Sequence, residues 1–242
     1  FRDFPLLIKF IDAREHLSIQ VHPSNAYALE HEGQFGKTEF WYILDAEPGA
    51  FICYGFKHEI SEEEFAARIK ENTLLEVIKK VEVRRGDTIL IESGTLHAVG
   101  KGIVLAEIQQ NSNCTYREYD YGRVGADGKP RELHIDKALD VTELKKTDAL
   151  VKNFSRSTAG MEREILAGCG YFITEKLDCR GSAVYDADNS FQHILAVEGE
   201  GEIAFANTVL PLRRGTSIFV PAHAGEYTVK GECSLLITHE MP

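Results

Sequence analysis

Ser18, Gln20 and His22 alternate with Leu17, Ile19 and Val21. A β-strand sends residues two apart to the same face, so this stretch predicts one polar face and one apolar face. On a barrel strand the apolar face packs on the core and the polar face lines a pocket. A strand with one side in solvent shows the same alternation. Glu39 enters the apolar run Phe40-Trp41-Tyr42-Ile43-Leu44, where a carboxylate is costly unless it is paired or ligates a metal. A strand-end carboxylate facing water is the plainer alternative. His97 closes the pattern Gly86-x5-Glu92-x-Gly94-x2-His97, in which Gly94 permits a sharp turn and His97 opens a return strand. The chemistry open to such groups is metal ligation or proton transfer. Lys9, set among Leu6, Leu7, Ile8 and Phe10, calls for an anionic partner or reaches along its stem to the surface.

Holding these residues in place takes strands. Leu6 to Ile11, bounded by Pro5 and Asp12, predicts a buried strand, and Pro23 stops the one from Leu17 to Val21. Ser24 reads as the N-cap of a short helix through about Glu30. Phe40 to Leu44 and Ala50 to Tyr54, separated by the turn-rich Asp45-Ala46-Glu47-Pro48-Gly49, read as a hairpin. Ser61 and Glu64 form a capping box that opens a helix through about Glu71. Strands are expected again at Val81 to Val83, Thr88 to Ile91, Leu96 to Val99 and Ile103 to Gln109, with a tight turn at Gly100-Lys101-Gly102 between the last two. The polar stretch from Tyr121 to Arg131 reads as a linker, and a helix is expected from Asp136 to about Lys145. The β pattern resumes at Ile165, with strands at His193 to Val197, Gly201 to Phe205, Thr216 to Val220 and Ser234 to Thr238.

The tail echoes the first half. Arg85-Gly86-Asp87-Thr88-Ile89-Leu90-Ile91, leading to His97, is mirrored by Arg214-Gly215-Thr216-Ser217-Ile218-Phe219-Val220, leading to Glu226. Internal self-similarity marks a duplicated unit. Glu226 standing where the first copy has His97 implies that the second barrel kept the fold and lost the site. The expected class is all-β, two barrels with few short helices.

Composition sets the outer limits. With 242 residues and 43% apolar content the chain can build a sizeable core. A formal charge of −11 argues against a nucleic-acid partner, and an anionic substrate would need a local basic cluster. No apolar run reaches the roughly 18 residues needed to cross a bilayer. Cys53, Cys114, Cys169, Cys179 and Cys233 are odd in number and widely spaced, which reads as reduced thiols in a cytoplasmic protein.

Several motifs in order carry a family resemblance. Gly86, Gly94 and His97 resemble the second cupin motif, with Glu92 where cupins usually have proline. Gln20-x-His22 and Glu39 resemble the first, with Gln in place of its leading His. Ser18-Ile19-Gln20-Val21-His22-Pro23, Lys37-Thr38-Glu39 and Gly94-Thr95-Leu96-His97-Ala98 are similar to the mannose-6-phosphate isomerases of the type I cupin family. Leu105 to Ser112 and Tyr116 to Arg123 resemble its short bacterial form. The family also carries N-terminal stretches, one with Trp-Gly, after which this chain begins, and its long forms have Asp near Asn113 and a helical insertion that is absent here.

The resemblance implies a cupin (jelly-roll) fold with a catalytic, metal-binding domain over residues 1–125, a linker with a helix over 126–160, and a degenerate second cupin over 161–242. It implies one Zn2+ per chain, or another divalent metal, held by Gln20, His22, Glu39 and His97, a donor set that suits such ions. The implied reaction is aldose–ketose interconversion of hexose 6-phosphates through a cis-enediolate, whose charge the metal stabilises directly or through bound water. Lys37, sharing a face with Glu39, is the candidate proton-transfer group. Arg117 matches an arginine suited to stabilising the enediolate, and Glu107 matches a pocket carboxylate that orients the metal shell or shuttles the proton. Lys9 and Ser18 match positions offered to the substrate phosphate. The implied partner is a phosphorylated hexose, with no nucleic acid or membrane, in a monomer or homodimer. A cupin dioxygenase using iron and a non-catalytic sugar-binding cupin are the rival readings. Gln20 as a fourth ligand and the basic positions weigh against the first, and Lys37 with Arg117 against the second.

Overall fold

Alternating polar and apolar residues make strands of most of this chain, and proline, glycine and capping side chains end them. The computed structural model describes residues 4–124, 128–147, 163–187 and 189–241, and the chain divides into two units, Phe1–Lys152 and Asn153–Pro242.

The first unit contains β1 (Leu6–Ala13), β2 (Ile19–Val21), α1 (Asn25–His31), β3 (Glu39–Ala46), β4 (Phe51–Phe56), α2 (Glu62–Lys70), β5 (Ile78–Glu82), β6 (Thr88–Ile91), β7 (His97–Val99), β8 (Ile103–Gln110), β9 (Tyr116–Tyr119) and α3 (Ile135–Val141). Ser24 and Ser61 cap α1 and α2 as expected, each side-chain oxygen accepting from the backbone N–H three residues on. The strands form two sheets, ordered β1-β8-β3-β6 and β5-β4-β7-β2-β9. Trp41, Ile43, Ile89 and Leu105 of the first sheet share one core with Ile52 and Val99 of the second, so the inner faces meet as in a double-sheet jelly roll. Phe65, Ile69 and Leu139 of the helices pack with Ile19, Cys53 and Ala98 of the second sheet.

One expected connection differs. β3 and β4 are not a hairpin: β3 lies between β8 and β6, and β4 between β5 and β7. With both edges of β3 taken, the turn after Ala46 carries the chain into the other sheet. The Gly100-Lys101-Gly102 turn likewise links β7 to β8 across the two sheets. Gly100 is required there, because a Cβ would sit 1.9 Å from the Phe51 carbonyl oxygen. The helix expected to reach Lys145 stops at Val141, where Thr142 turns extended and its N–H still bonds Ala138. It packs on β9 within the first unit.

The second unit contains β10 (Arg163–Gly168), β11 (Phe172–Asp186), β12 (Gln192–Phe205), β13 (Thr208–Arg213), β14 (Ser217–Val220) and β15 (Glu226–Glu240). Their order is β10-β11-β15-β12-β13, with β14 also on β12. The two strands expected between His193 and Phe205 are one strand, bulged between Ala196 and Glu198. The self-similar stretches fold alike. Gly86 and Gly215 have φ of +87° and +89°, and Gly94 and His223, at matching positions, have +86° and +62°. His97 and Glu226 each begin the strand that follows. The fold is all-β with cupin-type sheets, as expected.

Candidate metal centre

Register places the candidate residues. Tyr54, His97, Gln20 and Arg117 are successive cross-strand partners on β4, β7, β2 and β9. Directly opposed antiparallel residues project to one face, so these four share a face, and His22 joins it two residues beyond Gln20. In the other sheet Leu7, Gln109, Glu39 and Ile91 form one row, and Lys9, Glu107, Trp41 and Ile89 the next. Beyond them the row of Ile11, Leu105 and Ile43 is apolar. The barrel interior therefore has an apolar end that holds it together and a polar end that holds the candidate site.

At that polar end His22, Glu39 and His97 converge. Each has a side-chain exposure of 0%. His22 Nε2 lies 3.3 Å from Glu39 Oε2, and His97 Nε2 lies 3.2 Å from Glu39 Oε1. The Nδ1 atoms face the opposite way, 3.0 Å from the Cys114 carbonyl for His22 and 2.8 Å from the Thr95 carbonyl for His97. A carbonyl only accepts, so each Nδ1 carries the proton and each Nε2 presents a lone pair. Both Nε2 atoms and Glu39 Oε1 are buried without a hydrogen-bond partner, and Glu39 Oε2 meets only the Lys37 ammonium as a donor. Converging lone pairs in a dry site are unfavourable unless a cation lies among them. The donor atoms all fall within 4.8 Å of one another. Two imidazoles and a carboxylate are donors that zinc and similar ions accept, so the residues fit a divalent metal. Among the described residues no second group of His, Cys, Asp and Glu comes together in this way. In the second unit Glu226 is exposed and His193 Nε2 is 2.7 Å from Ser217 Oγ.

Local sequence explains the convergence. Gly94 donates its N–H to His22 O at 2.8 Å, which ties the turn before His97 to the strand bearing His22. Gly36 passes so close to Pro23 that a Cβ there would lie 2.4 Å from its carbonyl oxygen. Lys37 then donates its N–H to Pro23 O at 3.1 Å, which sets its ammonium 2.9 Å from Glu39 Oε2. Burial alone would raise the Glu39 carboxyl, but Lys37 and His22 outweigh it and hold the group well below its ordinary range. Burial, helped by Lys37 and His97, overcomes the pull of Glu39 and lowers His22 to about 3. The site thus holds an ionised carboxylate and a neutral His22, the states that bind a metal.

The chain is 38% identical over 237 residues to a mannose-6-phosphate isomerase of Bacillus subtilis, spanning 98% of this chain and 75% of that protein. It is 36% identical over 236 residues to a mannose-6-phosphate isomerase of Streptococcus mutans, spanning 98% and 74%. The chain belongs to the mannose-6-phosphate isomerase family. The crystal structure of the mannose 6-phosphate isomerase from Bacillus subtilis superposes with a TM-score of 0.91 at 37% identity, over 98% of this chain and 75% of that one. Residues 162–240 match the family model for the mannose-6-phosphate isomerase cupin domain.

The other candidate residues lie on or next to the rows that carry Gln20 and Glu39. Lys9 Nζ is 2.8 Å from Glu107 Oε1 and 2.5 Å from Gln109 Oε1, so the anionic partner expected for Lys9 is Glu107. The Lys9 side chain is 38% exposed and Glu107 5%. Ser18 is buried at the start of β2. Arg117 donates from Nη1 to the Glu132 carbonyl at 3.1 Å, while its Nε is buried without a hydrogen-bond partner. Burial, then the charges of Arg131 and Arg123, lowers its pKa against the pull of Asp120. Sequence reasoning missed Gln109, although it lies two residues from Glu107 on the same face. It also missed Trp41, whose ring stands edge-on to His97 at 5.5 Å. The carbonyls of Cys114 and Thr95, which set the two tautomers, carry no sequence signal.

Proposed function

We propose that this chain is a metal-dependent mannose-6-phosphate isomerase, interconverting mannose 6-phosphate and fructose 6-phosphate, with Gln20, His22, Glu39 and His97 as the metal ligands. The observation that carries the reading is the convergence of four buried donor atoms on His22, Glu39 and His97, three of them without any partner and the fourth, Glu39 Oε2, met only by the Lys37 ammonium, with Gln20 on the same face as His97. The cofactor in this reading is Zn2+, one per chain. A bound divalent cation supplies electrostatic stabilisation to an oxygen that gains negative charge.

The chain's own residues supply the rest. Isomerisation takes the proton from C2 of the aldose and returns it to C1, while the O2 proton is lost and O1 gains one, through a cis-enediolate. Lys37, held beside Glu39, is the candidate for proton transfer. Glu107, buried and paired with Lys9, is the second candidate and aligns the pocket. Arg117, on the same face as Gln20 and His97, is suited to stabilising charge that appears only near the transition state. Lys9, with Ser18, receives the phosphate in this reading. In this chain of net charge −11, that local cation is what an anionic sugar phosphate needs. The catalytic role belongs to the first unit, with residues 1–125 carrying every proposed site residue, and the second cupin is structural. Among the described residues no helix is long and apolar enough to cross a membrane, no disulfide joins the five cysteines, and we assign the protein to the cytoplasm.

The test is an isomerase assay on mannose 6-phosphate, with metal analysis of the same sample. Turnover that requires one divalent ion per chain supports the reading. A metal-replete chain with no turnover on this substrate overturns it.

A further inference from the structure

Cys179 on β11 and Cys233 on β15 are directly opposed strand partners, and both are buried in the core of the second unit. Opposed residues of an antiparallel pair have Cα atoms roughly 4.5 to 5.5 Å apart, inside the roughly 4.4 to 6.8 Å that a disulfide spans. Cys179 Sγ donates to the Val229 carbonyl at 3.7 Å, and no backbone or side chain separates the opposed pair in the register. They also line a cavity of ≈ 380 Å³ with Lys176, Arg180, Glu232 and Ser234, whose polar wall admits a molecule the size of water. We infer that Cys179 and Cys233 are an oxidisable dithiol, which a peroxide converts to an intramolecular disulfide joining β11 to β15. The inference concerns the second unit alone and stands apart from the isomerase reading.

The chemistry balances as two steps. The Cys179 thiolate attacks one peroxide oxygen; the O–O bond breaks, the sulfur becomes a sulfenic acid, and hydroxide leaves to take a proton from solvent. The Cys233 sulfur then attacks the Cys179 sulfur. The S–S bond forms, the S–O bond breaks, and the thiol proton leaves with the hydroxyl as water. The two thiols lose two electrons and the peroxide gains two. Cys179 is the first nucleophile because burial raises both thiols while each one's influence on the other lowers Cys179 and raises Cys233, the latter to about 11. Thiolate is therefore scarce near neutrality, and oxidation should speed up roughly tenfold per pH unit as the thiolate fraction grows.

The experiment treats the full chain with hydrogen peroxide at about pH 7 and about pH 9, counts thiols after denaturation, and maps peptides without reduction. The expected result is a fall from the five thiols of the sequence to three, and a linked peptide joining Cys179 to Cys233. It should form faster at the higher pH and be reversed by dithiothreitol. Cys179→Ser should give no linked peptide at the same dose. A linkage through any other cysteine, a sulfinic acid at Cys179 or Cys233, or oxidation elsewhere with both thiols left intact would overturn the inference.

Discussion

The rings of His22 and His97 lie 4.7 Å apart, tilted by 55°, and both turn Nε2 toward the two oxygens of Glu39. They come from adjacent stretches of one sheet, while Glu39 comes from the other. The two sheets therefore meet in a donor set, and a divalent ion bound there ties them together as well as serving chemistry.

Removing one ligand should empty this centre. His97→Ala is expected to weaken binding of the divalent ion by more than the roughly 10- to 100-fold typical of losing an outer partner, and to abolish turnover. Chelation of the wild-type chain should do the same, reversed by added zinc. Metal analysis after dialysis, with circular dichroism to verify the fold, makes the comparison. A His97→Ala chain that retains one tightly held ion would remove His97 from the ligand set.

Trp41 is the chain's one tryptophan, is fully buried and stands edge-on to His97. Its emission should therefore report on the centre. Titrating metal-free protein with Co2+, a quenching ion, should lower the fluorescence and saturate at one equivalent. His97→Ala should give little change over the same range. Equal quenching in both chains would place the ion elsewhere.

How much of this was legible in advance follows from what each signal depends on. Ser18-x-Gln20-x-His22 was readable because strand periodicity is local, and Ser61 with Glu64 because a capping box is local. The β3–β4 turn was misread as a hairpin because turn residues say where a chain reverses and nothing about which strand lies beside it. The Lys9–Glu107 pair depends on a register joining residues 98 positions apart, so alternation could place both inward without matching them. The tautomers of His22 and His97 rest on backbone carbonyls, which every residue has.

Glu118 makes stability depend on pH. It is fully buried in β9, where the register with β2 shifts so that Ile19 faces Tyr119 and Gln20 faces Arg117. Burial raises its carboxyl well above the ordinary range, with Thr142 opposing only in part. The folded chain then keeps a proton that the unfolded chain has lost, so stability falls as pH rises from the ordinary glutamate range to the folded value and levels off above it. Glu118→Gln, which cannot ionise, should match wild type near about pH 4 and exceed it from neutral pH upward. Urea midpoints across that range measure the difference. A constant gap between the two chains at every pH would mean that Glu118 is ionised in the fold.

Arg117 and Lys9 separate chemistry from binding. Arg117 shares a face with Gln20 and His97 and carries a buried, unpartnered Nε, which on the proposed reading is a donor for charge that develops during the reaction. Arg117→Ala should lower kcat by about 10²- to 10³-fold, the usual worth of one well-placed electrostatic donor, with a much smaller rise in KM. Lys9 is part-exposed, and its ammonium contacts Glu107 and Gln109. A phosphate carries its charge in ground and transition states alike, so Lys9→Ala should raise KM far more than it lowers kcat. Metal content measured on both variants must stay at the wild-type level for the contrast to count. Arg117→Ala with a wild-type kcat would leave the arginine as an anchor for the Glu132 carbonyl. A Lys9→Ala loss confined to kcat would mean that the lysine acts through Glu107, holding that carboxylate in the state the proton transfer needs.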